Sequence, residues 1–493
     1  MQKVSGTRLQ RAAWLGLTLV LLAGCSAPAR KKPEFQLRNE APLAGLPTNA
    51  PGWPAADWWH TFNDPQLNSL MARAISDAPS LQTALARYQQ AMAEAGYKRA
   101  DKNPELKASG NLGAGVSHYD IDTDGTDTSD TSNVLAGVGM LNFSWDLDLW
   151  GKKEAILMQA IDTAHAQKAS QAAALASLQY NLASLYFNWQ TEAARLNVLK
   201  NSAAVAREYL RVVKVRINAG VEEDSSLDKA RAQLAQIRQQ QAMLEGQQRI
   251  YHAQIAALMG VSEEELGPLT AKALPKPAGS VPQNAKLGLI ARRPDIVAAR
   301  WQVEAANQGI NEARAYFYPD VSLSGIGALL KVFPALGSST DVTGAVGNVG
   351  PAISLPLYNG GRLDAGLASS DAKRNTAIAS YNQTVVEAAG DVAQAVLTIE
   401  QLANASKELN KQWQAADSQL IRAKARVEKG VDDPRQALSA ELSLNNESDS
   451  RIQLQAQRLG AQLQLIHQLG GGYQGPAPDA YTTTKTSASE DVK

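Results

Sequence analysis

The chain states the same pattern twice. Residues Pro79 to Gly110 lie without a gap over Pro294 to Gly325, with Pro79 on Pro294, Pro104 on Pro319 and Gly110 on Gly325. Trp150–Ala155 then meets Gly360–Ala365, Val221 meets Val431 and Gly260 meets Gly470. The offset shortens once, between Gly110 and Trp150, where the first copy carries the longer loop. Repeats of tens of residues usually build stacked arrays. A duplication this long instead implies two equivalent halves, and a function that uses both alike.

Length alone would allow about three domains, but the duplication argues for one architecture made twice. Lys plus Arg number 48 and Asp plus Glu number 48, so no net charge draws the chain to nucleic acid or acidic lipid. Ala, Gln and Leu are plentiful and aromatics few, the composition of long helices packed through small side chains.

The first residues read as an address. Lys3, Arg8 and Arg11 precede an apolar run, Trp14 to Ala23, too short for a stable membrane span, and Leu22-Ala23-Gly24-Cys25 follows the pattern of a bacterial lipobox. Residues 1–24 are then a signal peptide, and Cys25, the only cysteine, is the lipidated mature N-terminus. Ser26 replaces the Asp of inner-membrane retention, which implies outer-membrane sorting. Residues 25–64 read as an extended arm, 65–266 as the first repeat, 267–284 as a Pro-rich linker, 285–471 as the second repeat and 472–493 as a disordered tail.

The periodicity alternates between two and 3.6 residues. Pro65 to Ala100 is helical in pattern, with Pro65 at a first turn. From Leu106 to Val116, Leu, Ala, Gly and Val alternate with Lys107, Ser109 and Asn111. From Leu135 to Leu149, Leu141, Phe143, Trp145 and Leu147 face away from Asn142, Ser144, Asp146 and Asp148. The second copy repeats this, with Val321 and Leu323 against Ser322 and Ser324, and Val349, Ile353, Leu355 and Leu357 against Asn348, Ser354 and Pro356. Such alternation marks transmembrane barrel strands, apolar outward and polar inward, or a soluble sheet with one wet face. Between the strand pairs, Lys152 to Ala219 holds no Pro or Gly, a helix on the order of 100 Å long. Arg362 to Lys429 is its counterpart. Each ends in a glycine turn, at Gly220-Val221 and Gly430-Val431, before a shorter return helix near Ser225–Met259 and Pro434–Leu469.

Two strands per half give four per chain, too few to close a membrane barrel, and open edges are not tolerated in lipid. The chain is therefore expected to oligomerise. Two copies would make an eight-stranded barrel filled by side chains; three would make twelve strands and a water channel. The helices carry charges throughout, Glu192, Arg195, Lys200, Arg207, Glu208 and Arg211 among them, and belong in water.

These residues resemble the TolC-like outer-membrane factors, in their lipoprotein (NodT-type) branch. The resemblance rests on Trp58-Trp59 with Phe62-Asn63-Asp64-Pro65, on Phe143 to Gly151, on Arg292-Arg293-Pro294-Asp295-Ile296, on Ala313 to Pro319 and on Leu355 to Arg362, in family order over most of the mature chain. It implies a fold that is mainly α with a transmembrane β-barrel: a homotrimer with twelve strands and a periplasmic α-helical tunnel. It also implies a periplasmic adaptor and an inner-membrane transporter, of RND or MFS type, as partners in drug efflux, with no enzymatic activity. It places adaptor docking at Gly220, Val221, Gly430 and Val431. The closed periplasmic mouth lies beside them, with Asp224, Asp432 and Asp433 as candidate constriction acids and Arg216 and Arg426 as candidate latches. Three like charges in a trimeric ring would favour cations. The alternative reading makes these aspartates helix caps and these arginines solvated helix-end cations.

Two other functions fit less of the pattern: protein export by a type I-like secretion system, and a non-channel coiled-coil envelope lipoprotein. Asp120 to Gly125 opens like a calcium loop, but Asp127 and Thr131 stand where an apolar residue and a Glu belong, so Asp120–Asp130 is expected to be an exposed loop between strands. The five histidines lack ligand spacing, no nucleophile sits beside a base, and no phosphate-cradling loop occurs, so neither cofactor, metal nor nucleic acid is expected. Trp145, Trp150, Phe317, Tyr318 and Tyr358, at the strand–helix junctions, are expected to form an aromatic belt against outer-membrane lipid, or else to pack in the core.

Overall fold

The structure, a computed structural model, describes residues 28–42, 53–123, 126–276, 285–333 and 342–475. The expected signal peptide, Cys25, part of the linker and most of the tail lie outside the described residues.

The helices come in matched pairs. The first part of each repeat gives α1 (Pro65–Asp77) and α2 (Pro79–Ala100), then α6 (Ala285–Arg292) and α7 (Pro294–Ala315). The long helices are α3 (Lys152–Asn218) and α8 (Arg362–Glu428), and the returning ones α4 (Ser225–Met259) and α9 (Pro434–Gln468). A short α5 (Glu263–Leu266) follows α4. Helices α2 and α7 have 22 residues each, α3 and α8 have 67 each, and α4 and α9 have 35 each. Equal lengths in all three pairs express the duplication. One expectation changes: the helical stretch from Pro65 to Ala100 breaks at Ala78, which is extended at ψ 127°. Pro79 explains the break, since its ring disfavours helical backbone in the residue before it.

Contacts divide the chain into two compact units, each drawing on both repeats. The first comprises residues 1–36, 89–164 and 301–379 and holds the sheet. Its strands are β1 (Glu105–Thr123), β2 (Thr126–Leu147), β3 (Asp320–Phe333) and β4 (Val342–Ser354), all antiparallel in the order β1-β2-β3-β4. The central pair β2–β3 joins the repeats, and β1 and β4 are free edges. The register sorts side chains as the alternation implied. Leu106 and Leu112 share a face with Leu141, Phe143, Trp145, Leu323, Leu329, Val349 and Ile353. Leu112, Val349 and Ile353 are 71–72% exposed, so this apolar face is bare. The opposite face is polar near Glu105, Asp146, Asp320 and Ser354, and again where Ser117 meets Ser132. Between these stretches it carries Val138, Met140, Ile326, Leu330 and Val346, so its polar character is interrupted by an apolar band.

The expected loop Asp120–Asp130 is corrected. Asp120 pairs with Ser129, Tyr119 with Asp130 and Thr123 with Thr126, so residues 120–123 and 126–130 belong to the strand ladder. Regular antiparallel pairing holds the backbone extended, which a calcium loop could not be.

The second unit comprises residues 37–88, 165–300 and 380–493. Its core packs Trp58, Trp59, Leu67 and Met71 against Leu182, Tyr186, Ile255, Met259, Leu459 and Leu463. Asp64 is buried at its edge. It caps α1 by accepting from the Gln66 N–H at 3.0 Å, and also accepts from the Tyr186 hydroxyl at 2.5 Å and the Lys272 ammonium at 2.7 Å. The described part of the linker is thus pinned to α1 and α3, with Gln190 bonding Thr270 O and Lys272 N–H. Residues expected to form an extended arm instead include a 3-10 turn, Trp58–Phe62, whose tryptophans enter the core. The arm proper is held by side chains of α8: Asn382 accepts from the Arg38 N–H, and Tyr381 donates to the Arg38 carbonyl.

Candidate functional site: the helical hairpin tips

The two hairpin turns close identically. Gly220 N–H donates to Ile217 O and Val221 N–H to Arg216 O; Gly430 N–H donates to Val427 O and Val431 N–H to Arg426 O. This pair of bonds satisfies the last carbonyls of a helix and requires left-handed backbone, here φ 71° at Gly220 and 70° at Gly430. Val221 and Val431 are then thrust into solvent, 59% and 63% exposed.

The charges around the turns are bound to one another. Arg216 meets Glu222 at 3.3 Å, and its counterpart Arg426 meets Asp432 at 2.6 Å, the same spacing in each repeat. Two further contacts cross between the hairpins: Arg435 to Glu222 at 2.6 Å and Arg216 to Asp433 at 3.0 Å. Asp433 also caps α9 through the Arg435 N–H and accepts from the Arg435 guanidinium. These partners depress the acids below the ordinary carboxylate range. Ser226 and Arg216 act on Glu222, Arg426 on Asp432 and Arg435 on Asp433, so all three stay ionised. Asp224 differs. It is exposed, has helical backbone and makes no side-chain capping bond. Among the sequence candidates it is the bare carboxylate, while Asp432 and Asp433 are neutralised within the chain.

Sequence reasoning missed Glu222 and Arg435. Glu222 was legible, because the repeat alignment sets it against Asp432 and sets Arg216 against Arg426. Arg435 was not, because its counterpart is Ser225 and its role is a contact between hairpins.

In the first unit, Trp150 knits the two repeats together. Trp150 stacks on Tyr318 at 4.9 Å and donates to Pro319 O at 2.8 Å, while Trp145 donates to Lys102 O. Tyr358 is 91% exposed, Trp150 half-exposed and Phe317 half-buried. Lys152 bridges to Asp320, and Asp148 caps α3 by accepting from the Lys153 and Glu154 N–H groups. Among the described residues no helix is long and apolar enough to cross a membrane, and no three His, Cys, Asp or Glu gather as a metal set.

The profile of the outer membrane efflux protein family matches residues 70–261 and 288–471, both repeats nearly end to end. The chain belongs to that family. It is 31% identical over 483 residues to the multidrug resistance outer membrane protein MdtP of Escherichia coli O6:H1, covering 95% of this chain and 97% of that one. It is likewise 31% identical to MdtQ of the same strain, covering 92% and 96%. Among solved structures, the outer membrane protein VceC of Vibrio cholerae superposes with a TM-score of 0.71 at 29% identity, covering 86% of this chain and all of that one. The outer-membrane channel OprN superposes at 0.75 and 26% identity, covering 92% and 100%. This outer membrane efflux protein is therefore an outer-membrane channel of the TolC-like fold, with the duplicated strand-pair and helical-hairpin unit repeated in its own chain.

Proposed function

We propose that this protein is the passive exit duct of a tripartite drug-efflux pump. Three copies join their sheets into a twelve-stranded barrel, and the hairpin tips meet a periplasmic adaptor that links them to an inner-membrane transporter. The observation that carries the reading is the four-stranded sheet, apolar on one face and unpaired at both edges. Lipid requires every edge closed, and four strands cannot close on themselves. The relatives' names, multidrug resistance outer membrane proteins, support drugs rather than exported proteins as cargo.

The tips supply both gate and dock. Arg216, Glu222, Asp433 and Arg435 tie the two hairpins of one chain together, and opening requires those contacts to part. Asp224 adds an unpaired acid that, repeated threefold, favours cations at the mouth. The exposed Val221 and Val431 offer small apolar knobs to an adaptor. The aromatic junction, with Trp145, Trp150 and Tyr358, sits at the lipid interface, and Cys25 carries the acyl anchor.

A Gly430→Trp substitution tests the dock. Gly430 has open space around it but left-handed backbone, so the change strains the turn by about 1–2 kcal/mol without a core clash. The expected result is intact barrel assembly, weakened crosslinking to the adaptor and lost drug resistance. Normal crosslinking and resistance would remove the tip from the docking account.

A further inference from the structure

The second unit contains a cleft whose lining is basic and lacks any carboxylate. It measures about 440 Å³ and lies between the described end of the linker, α8 and α9. Lys276, Arg451 and Arg458 converge on it, accompanied by Asn410, Ser406 and Gln455.

Three sheltered arginines of this protein each face a carboxylate. Arg195 meets Asp449 at 2.9 Å, Arg293 meets Asp295 at 2.7 Å, and Arg374 meets Asp371 at 3.1 Å. No such anion reaches the three cations of the cleft among the described residues. Glu447 stands four residues before Arg451, the spacing at which helix ion pairs form, yet makes none with it. Arg458 is half-buried and, among the described residues, bonds to the Ser406 hydroxyl at 3.3 Å, a neutral partner. Arg451 and Lys276 stand exposed at the rim, so only Arg458 is partly drawn from water; a guanidinium so placed without an opposing charge is unfavourable, and three cations around one hollow repel each other.

The cations are also held in place. The Arg451 guanidinium lies 4.4 Å from the centre of the Trp413 ring, and Trp413 is fixed by donating to Ser448 at 3.0 Å. Gln455 donates to Leu274 O and Pro275 O, which brings the linker and Lys276 to the rim. Arg451 and Arg458 are two helical turns apart on one face of α9, about 10 Å along its axis. A stacked guanidinium keeps its fork of donors free for an oxyanion.

We propose that this cleft is a binding site for an oxyanion, a carboxylate or a phosphate group, held by Arg451, Arg458 and Lys276. The duct account assigns it no part, and the site stands whether or not the tips gate.

The test is titration calorimetry of the full-length protein in detergent at low ionic strength, with two probes: inorganic phosphate and the dipeptide Glu-Glu. The expected result is saturable binding of at least one probe with a Kd below about 1 mM. Phosphate alone identifies a phosphate ligand, the dipeptide alone a carboxylate ligand, and both together the shared chemistry. Lys276→Gln, on the exposed linker, should weaken binding about tenfold and Arg451→Gln/Arg458→Gln more, while Arg422→Gln, an exposed cation outside the cleft, should not change it. Absence of saturable binding by either probe overturns the proposal. So does equal binding by wild type and Lys276→Gln, a result that needs no change to the core.

Discussion

Asp64 is the residue through which the core of the second unit, the start of α1 and the linker depend on one another, and its removal gives a worked prediction. In Asp64→Ala the α1 cap is lost, at about 1 kcal/mol. The Tyr186 hydroxyl, in a fully buried side chain, loses its charged acceptor, at about 1–3 kcal/mol. Lys272 is partly exposed, so its ion pair adds only about 0.5 kcal/mol. The sum is about 3 kcal/mol. Tyr186→Phe removes the donor instead and should cost about 1 kcal/mol. The double variant should be more stable than the sum of the two by about 1 kcal/mol or more, because the orphaned hydroxyl is gone. The assay is chemical unfolding of the detergent-solubilised protein, followed by tryptophan emission. pH gives an independent readout. Burial pushes the Asp64 carboxyl up, but bonds from Lys272, Tyr186 and the Gln66 N–H outweigh it, leaving it below its ordinary 3.8. Its contribution is complete above that value and is lost as pH falls through the lower folded value, so the Ala variant should lose less stability than wild type in acid. Additive single costs, to within about 0.5 kcal/mol, would refute the reasoning.

Two further outcomes follow from buried groups. Burial, and then the Arg293 charge, hold His467 below its ordinary 6.5, despite the opposing Asp295 and Asp391. Its contribution is present above that value and is lost as pH falls, because only the unfolded chain takes up the proton freely. His467→Phe keeps the stack on Tyr180 and should narrow the stability difference between neutral and mildly acidic solution; an unchanged difference would discount the histidine. Gly470 has φ 94°, and a Cβ there would lie 2.0 Å from the Arg292 carbonyl oxygen. Gly470→Ala should therefore cost about 3 kcal/mol or more in the same unfolding assay, and a cost under about 1 kcal/mol would show that this contact relaxes.

The duplication made most of the architecture legible, because long uninterrupted helices and glycine turns are local signals. The runs Lys152–Ala219 and Arg362–Lys429 matched the long helices to within a residue at their C-termini. Strand ends were less legible. Asp120–Asp130 is rich in Asp, Thr and Ser, which suggest a loop, yet cross-strand pairing holds residues 120–123 and 126–130 extended. Single-strand alternation also missed the apolar stretch on the inner face, since Met140, Ala328 and Val346 come level only through the register. At the tips, Arg216, Arg426, Asp432 and Asp433 were legible from position beside a turn. The Arg435–Glu222 contact was not, because those residues are 213 apart and meet only through the tertiary fold.

The most direct test of the duct is single-channel conductance of the purified full-length protein in a planar bilayer, with the mass of the detergent-solubilised particle measured in parallel. The account predicts a trimer with a small, cation-preferring conductance that opens rarely, and more often in Arg216→Ala/Arg435→Ala, which frees the two hairpins from each other. A monomer without conductance, in wild type and variant alike, would contradict it and leave an envelope spacer in place of a channel.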